Sequence, residues 1–212
     1  MTDLCFEIHH LFARLPHHHF PFDPEQIPLN GIYILYEDGE TAHETDRIVR
    51  IGTHNGNNRL PLRLNEHFVK ENKDRSIFRK NISRALLNKA QDPFLGQWEH
   101  DLMSRHAREE YRLVVDMEKQ KKVERLVAAY IQSYFRFTVF PVQNKEERLL
   151  WESRIISTVS LCQECKPSPG WLGLFSPKKK IRESGLWIVN ELYKQPLNPS
   201  EFDSLRKVVE RS

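Results

Sequence analysis

Two short β-type segments followed by an amphipathic helix constrain this chain more than any other feature of its sequence. Residues 31–37 alternate and are rich in Ile and Tyr, and residues 47–53 resemble a returning strand. Asp38-Gly39 is a turn signal between them, which predicts an antiparallel hairpin with a long polar loop. Pro61 suits the first turn of a helix that continues to about Asn72.

The rest of the chain is predicted to be mainly helical. A basic helix covers 75–89, and residues 98–134, which contain neither Pro nor Gly, form one long helix or two stacked ones. Residues 135–142 alternate aromatic and polar side chains and are predicted to be a third strand. Asn144 starts the next helix, and a last helix lies near 201–210. The fold class is therefore α+β: a small three-stranded antiparallel sheet flanked by helices, with a large helical insertion.

Composition bounds the class of protein. A chain of 212 residues with 39% hydrophobic and 29% charged residues is ordinary for a globular domain. No apolar run is long enough for a membrane span, and the N-terminus lacks a signal pattern. Three cysteines, an odd number, argue against a disulfide framework. We expect a cytoplasmic protein with no membrane partner.

Glu152 occupies an unusual position on the predicted helix after Asn144. It falls in the same stripe as Leu149, Ile156 and Val159, where an unpaired carboxylate is costly. One alternative is a salt bridge to a buried arginine. The other is binding of a hard cation such as Mg²⁺, which takes one or two carboxylates and keeps several waters.

Arg63 and His67 stand four residues apart and therefore share one helix face, beside an apolar stripe formed by Leu60, Leu64 and Phe68. On spacing alone they are an ordinary surface arginine and a hydrogen-bonded histidine. A site for phosphoryl transfer needs the same parts: a fixed cation for the developing charge and a group that moves or positions a proton.

Taken in order, Gly31-Ile32-Tyr33, Arg50-Ile51-Gly52, the Arg63/His67 pair and the Glu152 helix resemble the GIY-YIG nuclease domain. The resemblance implies a Mg²⁺- or Mn²⁺-dependent endonuclease that hydrolyses phosphodiester bonds, with double-stranded DNA as its partner. Glu152 matches the metal-binding glutamate and Arg63 the family's arginine. Tyr33 matches the first tyrosine, which orients or deprotonates the attacking water or contacts the scissile phosphate. Many members carry a histidine where His67 lies.

The chain departs from the family pattern at two places. Arg50 replaces the second tyrosine, so mechanisms that use that tyrosine do not transfer, although Arg50 could clamp a phosphate. The asparagine that often follows the metal glutamate has no clear match in residues 167–171. His54 is either the proton acceptor or a loop histidine, and Gly52 is expected to permit a tight backbone turn.

Two rival hypotheses remain open. The first is a catalytically inactive nucleic-acid-binding protein that retained the fold, which the replacement of the second tyrosine by Arg50 favours. The second is a helical protein with a chance hairpin, which predicts that Arg63 and Glu152 lie far apart.

The resemblance also implies one nuclease domain over residues 1–212. Its core is about 29–69 and 134–165, with a helical insertion of about 70–133 and a C-terminal extension of 166–212. A single domain of this length with extra helices is more similar to the restriction-enzyme branch of the family than to its repair or homing enzymes. A restriction enzyme that cuts a palindromic site would suit a twofold homodimer.

The net charge of the whole chain is only +3, but its basic residues are concentrated between Lys70 and Lys89. The candidates for contact with a DNA backbone lie on the predicted basic helix: Arg75, Arg79, Lys80 and Arg84. The alternative is a solvated helix face.

Cys162-Gln163-Glu164-Cys165 is a lone C-x-x-C motif. A zinc site needs four ligands, and only Cys5 or a distant histidine could complete the set, so buried thiols are the expectation. His17-His18-His19 are expected to lie in a local polar loop.

Overall fold

The computed structural model describes residues 3–211. Within this range one antiparallel sheet has the strand order β1-β4-β2-β3; its strands are β1 His18–His19, β2 Gly31–Ala42, β3 Thr45–Gly52 and β4 Phe135–Pro141. The α+β class is confirmed, but the described sheet has four strands rather than three. The additional strand is β1, because His18 and His19 pair with β4 at the sheet edge instead of lying in a polar loop.

Helices cover both faces of the sheet. Their bounds are α1 Leu4–Ala13, α2 Leu60–Phe68, α3 Ile77–Lys89, α4 Phe94–Trp98, α5 Arg105–Glu110, α6 Met117–Tyr134, α7 Lys145–Leu161, α8 Lys179–Ser184 and α9 Pro199–Val209, with short 3-10 turns at Pro24–Gln26 and Leu172–Phe175. Among residues 3–211, none of these helices has the length and apolar composition that crossing a bilayer requires.

The strand alternation of β2 explains the two apolar layers. Successive side chains of a strand point to opposite faces of the sheet. Tyr33 and Leu35 pack in the layer that contains α2, α3 and α6, whereas Ile32 and Ile34 pack in the layer that contains α1, α7 and α9. Because both faces are covered, the first part of β2 is a continuous buried run rather than a half-exposed one.

The hairpin between β2 and β3 differs from the prediction. β2 continues through Asp38-Gly39, and the chain reverses at His43 and Glu44, between the paired residues Ala42 and Thr45. Both turn residues have positive φ, 51° and 61°, as a two-residue type I′ turn requires. The predicted long polar loop is therefore wrong, since its polar residues belong to an extended, irregular strand.

The segment 98–134, predicted to be one long helix or two stacked ones, contains two helices, α5 and α6, after the end of α4. Ser104 caps α5 and Asp116 caps α6, because each side chain accepts the backbone N–H three residues further on. Downstream of these caps, α6 packs against α3, and both helices share the apolar layer of Tyr33 and Leu35. These helices thus form the wall that covers one face of the sheet.

Candidate active site

A cleft of about 950 Å³ opens at the end of the sheet where β2 begins and β3 finishes. Tyr33 of β2, Arg50 of β3, Arg63 of α2 and Glu152 of α7 line it, together with His54 from the segment after β3. The hypothesis of a helical protein with a chance hairpin is wrong, because Arg63 and Glu152 line the same cleft.

Tyr33 stands in a chain of buried polar contacts. Its hydroxyl lies 2.8 Å from Nε2 of His67, and Nδ1 of His67 lies 2.7 Å from Oγ of Ser76. Nε of Arg50 donates to the same tyrosine hydroxyl over 3.3 Å. Ser76 is also the N-cap of α3, since its Oγ accepts the backbone N–H of Arg79. A helix cap therefore fixes the far end of the polar chain.

His67 lies behind Tyr33 rather than in the cleft. Its side chain is completely buried, and α2 places it one turn after Arg63. Burial, and then the charges of Arg63, Arg50 and Arg79, hold the pKa of His67 well below its ordinary value. The ring is therefore neutral at physiological pH, with one donor and one acceptor nitrogen. It is placed to hydrogen-bond the Tyr33 hydroxyl and does not line the cleft.

Gly52 is needed for a different reason from the predicted backbone turn. It lies opposite Tyr33 in the β2–β3 ladder, and the tyrosine ring passes directly over it. A Cβ at this position would overlap the Tyr33 hydroxyl. Its φ is not in the left-handed region, so close approach, and not backbone freedom, demands the glycine.

Arg50 is held in the wall of the cleft, although it stands where the family pattern has tyrosine. Besides its bond to Tyr33, it donates from its NH1 group to the backbone carbonyl of Trp187. The side chain is almost fully buried, so the guanidinium brings a fixed positive charge to the tyrosine hydroxyl and the cleft.

Arg63 is positioned by two contacts at the rim. One amino group donates to Oε2 of Glu66 and to the backbone carbonyl of Arg75, both over 2.9 Å. The side chain remains about one-fifth exposed. A guanidinium anchored on one side and open on the other suits contact with an anionic group in the cleft.

Glu152 projects from α7 into the same space. Its Oε1 accepts the backbone N–H of Thr53 over 3.2 Å, and within residues 3–211 it has no ion pair, so the salt-bridge alternative is not what the fold adopts. Burial raises the pKa of Glu152, although Arg50 and the Thr53 N–H oppose the shift. A carboxylate with one oxygen tied and the other facing a cleft is a suitable ligand for a hard cation.

Glu191 is a second carboxylate on the cleft. It accepts from Oγ of Ser153 over 2.6 Å and pairs with Lys194, and those two contacts lower its pKa. One or two carboxylates with open space for water match what Mg²⁺ or Mn²⁺ requires, so the residues present fit such an ion.

His54 lines the cleft and also hydrogen-bonds to the backbone. Its Nε2 accepts the N–H of Gly31 over 3.4 Å, which joins the segment after β3 to the start of β2. Burial, and then nearby Arg148, lowers its pKa. Nδ1 is buried without a hydrogen-bond partner among the described residues. Both alternatives from the sequence, proton acceptor and loop histidine, remain compatible with this placement.

The basic helix does not present its charges as predicted. Arg79 is fully buried and pairs with Glu124 of α6, and Arg84 pairs with Glu99. Lys80 is mostly covered and donates to the backbone carbonyl of Glu99. These three side chains are engaged in internal contacts and are largely closed to solvent. Arg75, whose side chain is 42% exposed, is the one of the four that stays open to solvent.

Several cleft residues were missed from the sequence. Arg59, just before α2, is exposed on the cleft, and Asn190 lines it beside Glu191. Asn190 lies outside the segment where an asparagine was sought. Neither residue belongs to a helix or strand, so no hydrophobic period marks it. Only the close approach of the C-terminal segment to α7 brings Asn190 to the site.

Comparison with protein families supports the assignment of this cleft. The family model described as "GIY-YIG domain" matches residues 22–212, which include each cleft residue named above. Searches of curated proteins and of solved structures give no match. The family match covers most of the sequence, and its start lies after α1. The chain therefore belongs to the GIY-YIG nuclease family.

Proposed function

We propose that this chain is a metal-dependent endonuclease that hydrolyses phosphodiester bonds in double-stranded DNA. The observation that carries the proposal is the convergence of Tyr33, Arg50, Arg63 and Glu152 on one cleft. Family membership supports the reaction class, and the charges in the cleft support an anionic substrate.

Tyr33 and His67 handle the attacking water in this proposal. Neutral His67 holds the Tyr33 oxygen in place: its Nε2 faces that oxygen and its Nδ1 faces Oγ of Ser76, and either neutral tautomer can bridge the two. Once the Tyr33 hydroxyl has lost its proton to solvent in the cleft, the tyrosine oxygen takes a proton from water as the water oxygen bonds to phosphorus. Arg50 stabilises the negative charge on the tyrosine oxygen through its Nε–H.

Arg63 and Glu152 act on the phosphate. The open side of Arg63 offsets the charge that develops on the phosphoryl oxygens. Glu152, with Glu191 nearby, would hold Mg²⁺ or Mn²⁺, whose chemistry at that position is charge neutralisation at the scissile phosphate. The bond from phosphorus to the leaving oxygen breaks, and solvent protonates that oxygen.

DNA contact is proposed at the rim of the cleft instead of on α3. Arg59 and Arg75 offer exposed side chains, and that of Arg63 is partly exposed. Contacts of this kind follow the sugar–phosphate backbone and weaken with salt, without reading base sequence.

Cleavage of supercoiled plasmid tests the proposal. Wild-type protein should nick the plasmid with Mg²⁺ or Mn²⁺ and not with EDTA, and Glu152→Gln should be slower by about 100-fold or more. Glu146→Gln is the matched control, because Glu146 is exposed in the first turn of the same helix. Equal nicking by Glu152→Gln and wild type would contradict the metal role, and preferential cleavage of RNA would contradict the substrate.

A nucleic-acid-binding protein without catalysis is the second candidate. It is favoured by Arg50, which replaces a family tyrosine and is bonded to the Trp187 carbonyl. Metal-insensitive binding of duplex DNA with no cleavage, in Mg²⁺ or Mn²⁺ and over a range of substrates, would support this candidate and exclude the first.

A further inference from the structure

Three cysteines meet at the opposite end of the β2–β3 hairpin from the cleft. Cys5 lies on α1, whereas Cys162 and Cys165 follow α7 directly. The Sγ atoms of Cys5 and Cys165 are 3.4 Å apart, and the Cys162 thiol interacts with both. All three are free thiols, which the sequence predicted, but the sequence did not predict that they would form one cluster.

Two histidines join this cluster, and their hydrogen bonds distinguish them. Nδ1 of His9 lies 2.8 Å from the carbonyl of Cys5, and Nε2 of His9 accepts the N–H of Ile48. Both nitrogens of His9 are thus used by the backbone, and they lie farther from sulfur than the His43 nitrogen does, at 3.7 Å from Sγ of Cys5 and 3.8 Å from Sγ of Cys165. His43, at the tip of the hairpin, has its Nε2 3.3 Å from Sγ of Cys162. That nitrogen therefore faces sulfur instead of a backbone group.

A carboxylate stands behind His43. Oε2 of Glu164, the residue inside the C-x-x-C motif, lies 3.4 Å from Nδ1 of His43 without forming a hydrogen bond, and the Glu164 side chain is 72% exposed. Histidines that bind a metal through one nitrogen commonly present the other N–H to a carboxylate, which fixes the ring and its tautomer. His43 also holds a positive φ at a turn position that Asn or Gly would fill more easily.

The spacing of these atoms suits a tetrahedral zinc ion. A Zn–S distance of about 2.3 Å implies ligand–ligand edges of about 3.8 Å between sulfurs and slightly less between sulfur and nitrogen. The separations of 3.4 Å between the Sγ atoms of Cys5 and Cys165 and of 3.3 Å between Nε2 of His43 and Sγ of Cys162 are close to those edges. The ligand atoms of Cys5, His9, His43 and Cys165 all lie within 4.8 Å of one another, and Cys162 reaches this group through His43. Small inward or outward adjustments are enough to accommodate an ion.

We propose that Cys5, His43, Cys162 and Cys165 form a structural Cys₃His zinc site. A thiolate-rich tetrahedral set selects zinc over Mg²⁺ or Mn²⁺, which prefer oxygen ligands. Four protein ligands leave no open position, so the site is structural and not catalytic. It joins α1, which precedes the family match, to the hairpin and to the end of α7.

This zinc site is independent of the nuclease cleft. The hairpin tip and Gly52 are separated by the length of β3, about 23 Å at a rise of about 3.3 Å per residue. Zinc content therefore reports on a separate set of ligands and can be measured independently of DNA cleavage.

Metal analysis of the full-length protein, purified without chelators, tests the proposal. We expect one zinc ion per chain by mass spectrometry of the metal. After removal of zinc, Co²⁺ should give the intense visible absorption of a tetrahedral thiolate site. Cys162→Ser and His43→Gln should lose the metal. Glu164→Gln should weaken binding by about 10–100-fold in competition with a chelator, because it alters only the group behind His43.

His9→Gln is the control that tests the ligand assignment. It should keep zinc and the Co²⁺ spectrum, since His9 already bonds to the backbone through both nitrogens. Loss of zinc in His9→Gln with retention in His43→Gln would overturn the ligand set. Wild-type protein without zinc and without a tetrahedral Co²⁺ spectrum, or with a Cys5–Cys165 disulfide, would overturn the site, whether or not any variant folds.

Discussion

Tyr33 and His67 form a pair whose joint removal distinguishes catalysis from simple packing. In the proposed mechanism His67 never touches the substrate and acts only through the tyrosine hydroxyl, 2.8 Å away. Tyr33→Phe deletes that hydroxyl, and His67→Gln replaces the ring that bridges the hydroxyl to Ser76 by a flexible amide. The double variant should therefore be no slower than the slower single variant.

The magnitudes follow from these contacts. Loss of a general base lowers the rate by about 10²–10⁴, which corresponds to about 3–5 kcal/mol of transition-state stabilisation. Tyr33→Phe also leaves Nε of Arg50 and Nε2 of His67 without this partner, at about 1–3 kcal/mol of stability for each group. The upper end of that loss is comparable with the whole stability of a small domain, about 5–15 kcal/mol. Folding of each variant must therefore be verified by its thermal transition before rates are compared.

Single-turnover cleavage of a labelled duplex with enzyme in excess is the appropriate assay, because it excludes product release. If Tyr33 and His67 act in series, the coupling between the two substitutions approaches the effect of one of them. If the rate losses of the two single variants multiply in the double variant, His67 does not act through the tyrosine. A folded Tyr33→Phe variant that cleaves at nearly the wild-type rate would refute the role of the tyrosine.

Four further substitutions probe the rest of the molecule. Gly52→Ala should abolish cleavage while duplex binding persists, because the added Cβ displaces the Tyr33 hydroxyl; rates near wild type would show that the close approach is unimportant. Burial raises the pKa of Glu37, so its protonation favours folding below the unfolded pKa, and this contribution is lost as pH rises through the folded pKa. Glu37→Gln should remove that loss, which urea titrations at several pH values would detect as a flatter pH dependence. Arg59→Ala should reduce the slope of log K against log salt for duplex binding by an amount that corresponds to about one phosphate contact. Arg84→Gln should leave this slope unchanged, because the Arg84 side chain is paired with Glu99. The opposite result would indicate that α3 contacts the DNA.

Local pattern was sufficient for the framework of the active site. Alternation in β2, the helical spacing of Arg63 and His67, and a carboxylate on the stripe of α7 are properties of neighbouring residues. Such patterns fix which side chains share a face of an element. They predicted that Tyr33, Arg63 and Glu152 would meet, and the three line one cleft.

Local pattern could not show what lies opposite each face. His67 was expected at the site, but it lies behind Tyr33 because α3 closes over that side of α2. The positive charge of Arg79 was expected to face DNA, yet its partner is Glu124, which is 45 positions further along the chain. Burial of a charge depends on which distant element supplies the counter-charge, and the spacing within one helix carries no record of it.

The same reasoning applies to the cysteines. The sequence contains the C-x-x-C motif and indicates that two ligands are missing, because that spacing is local. Cys5 and His43 reach it only when α1 packs on the sheet and the hairpin turns at residues 43 and 44. Sequence determines the chemical groups and their local order, and only long-range packing decides which of these groups meet.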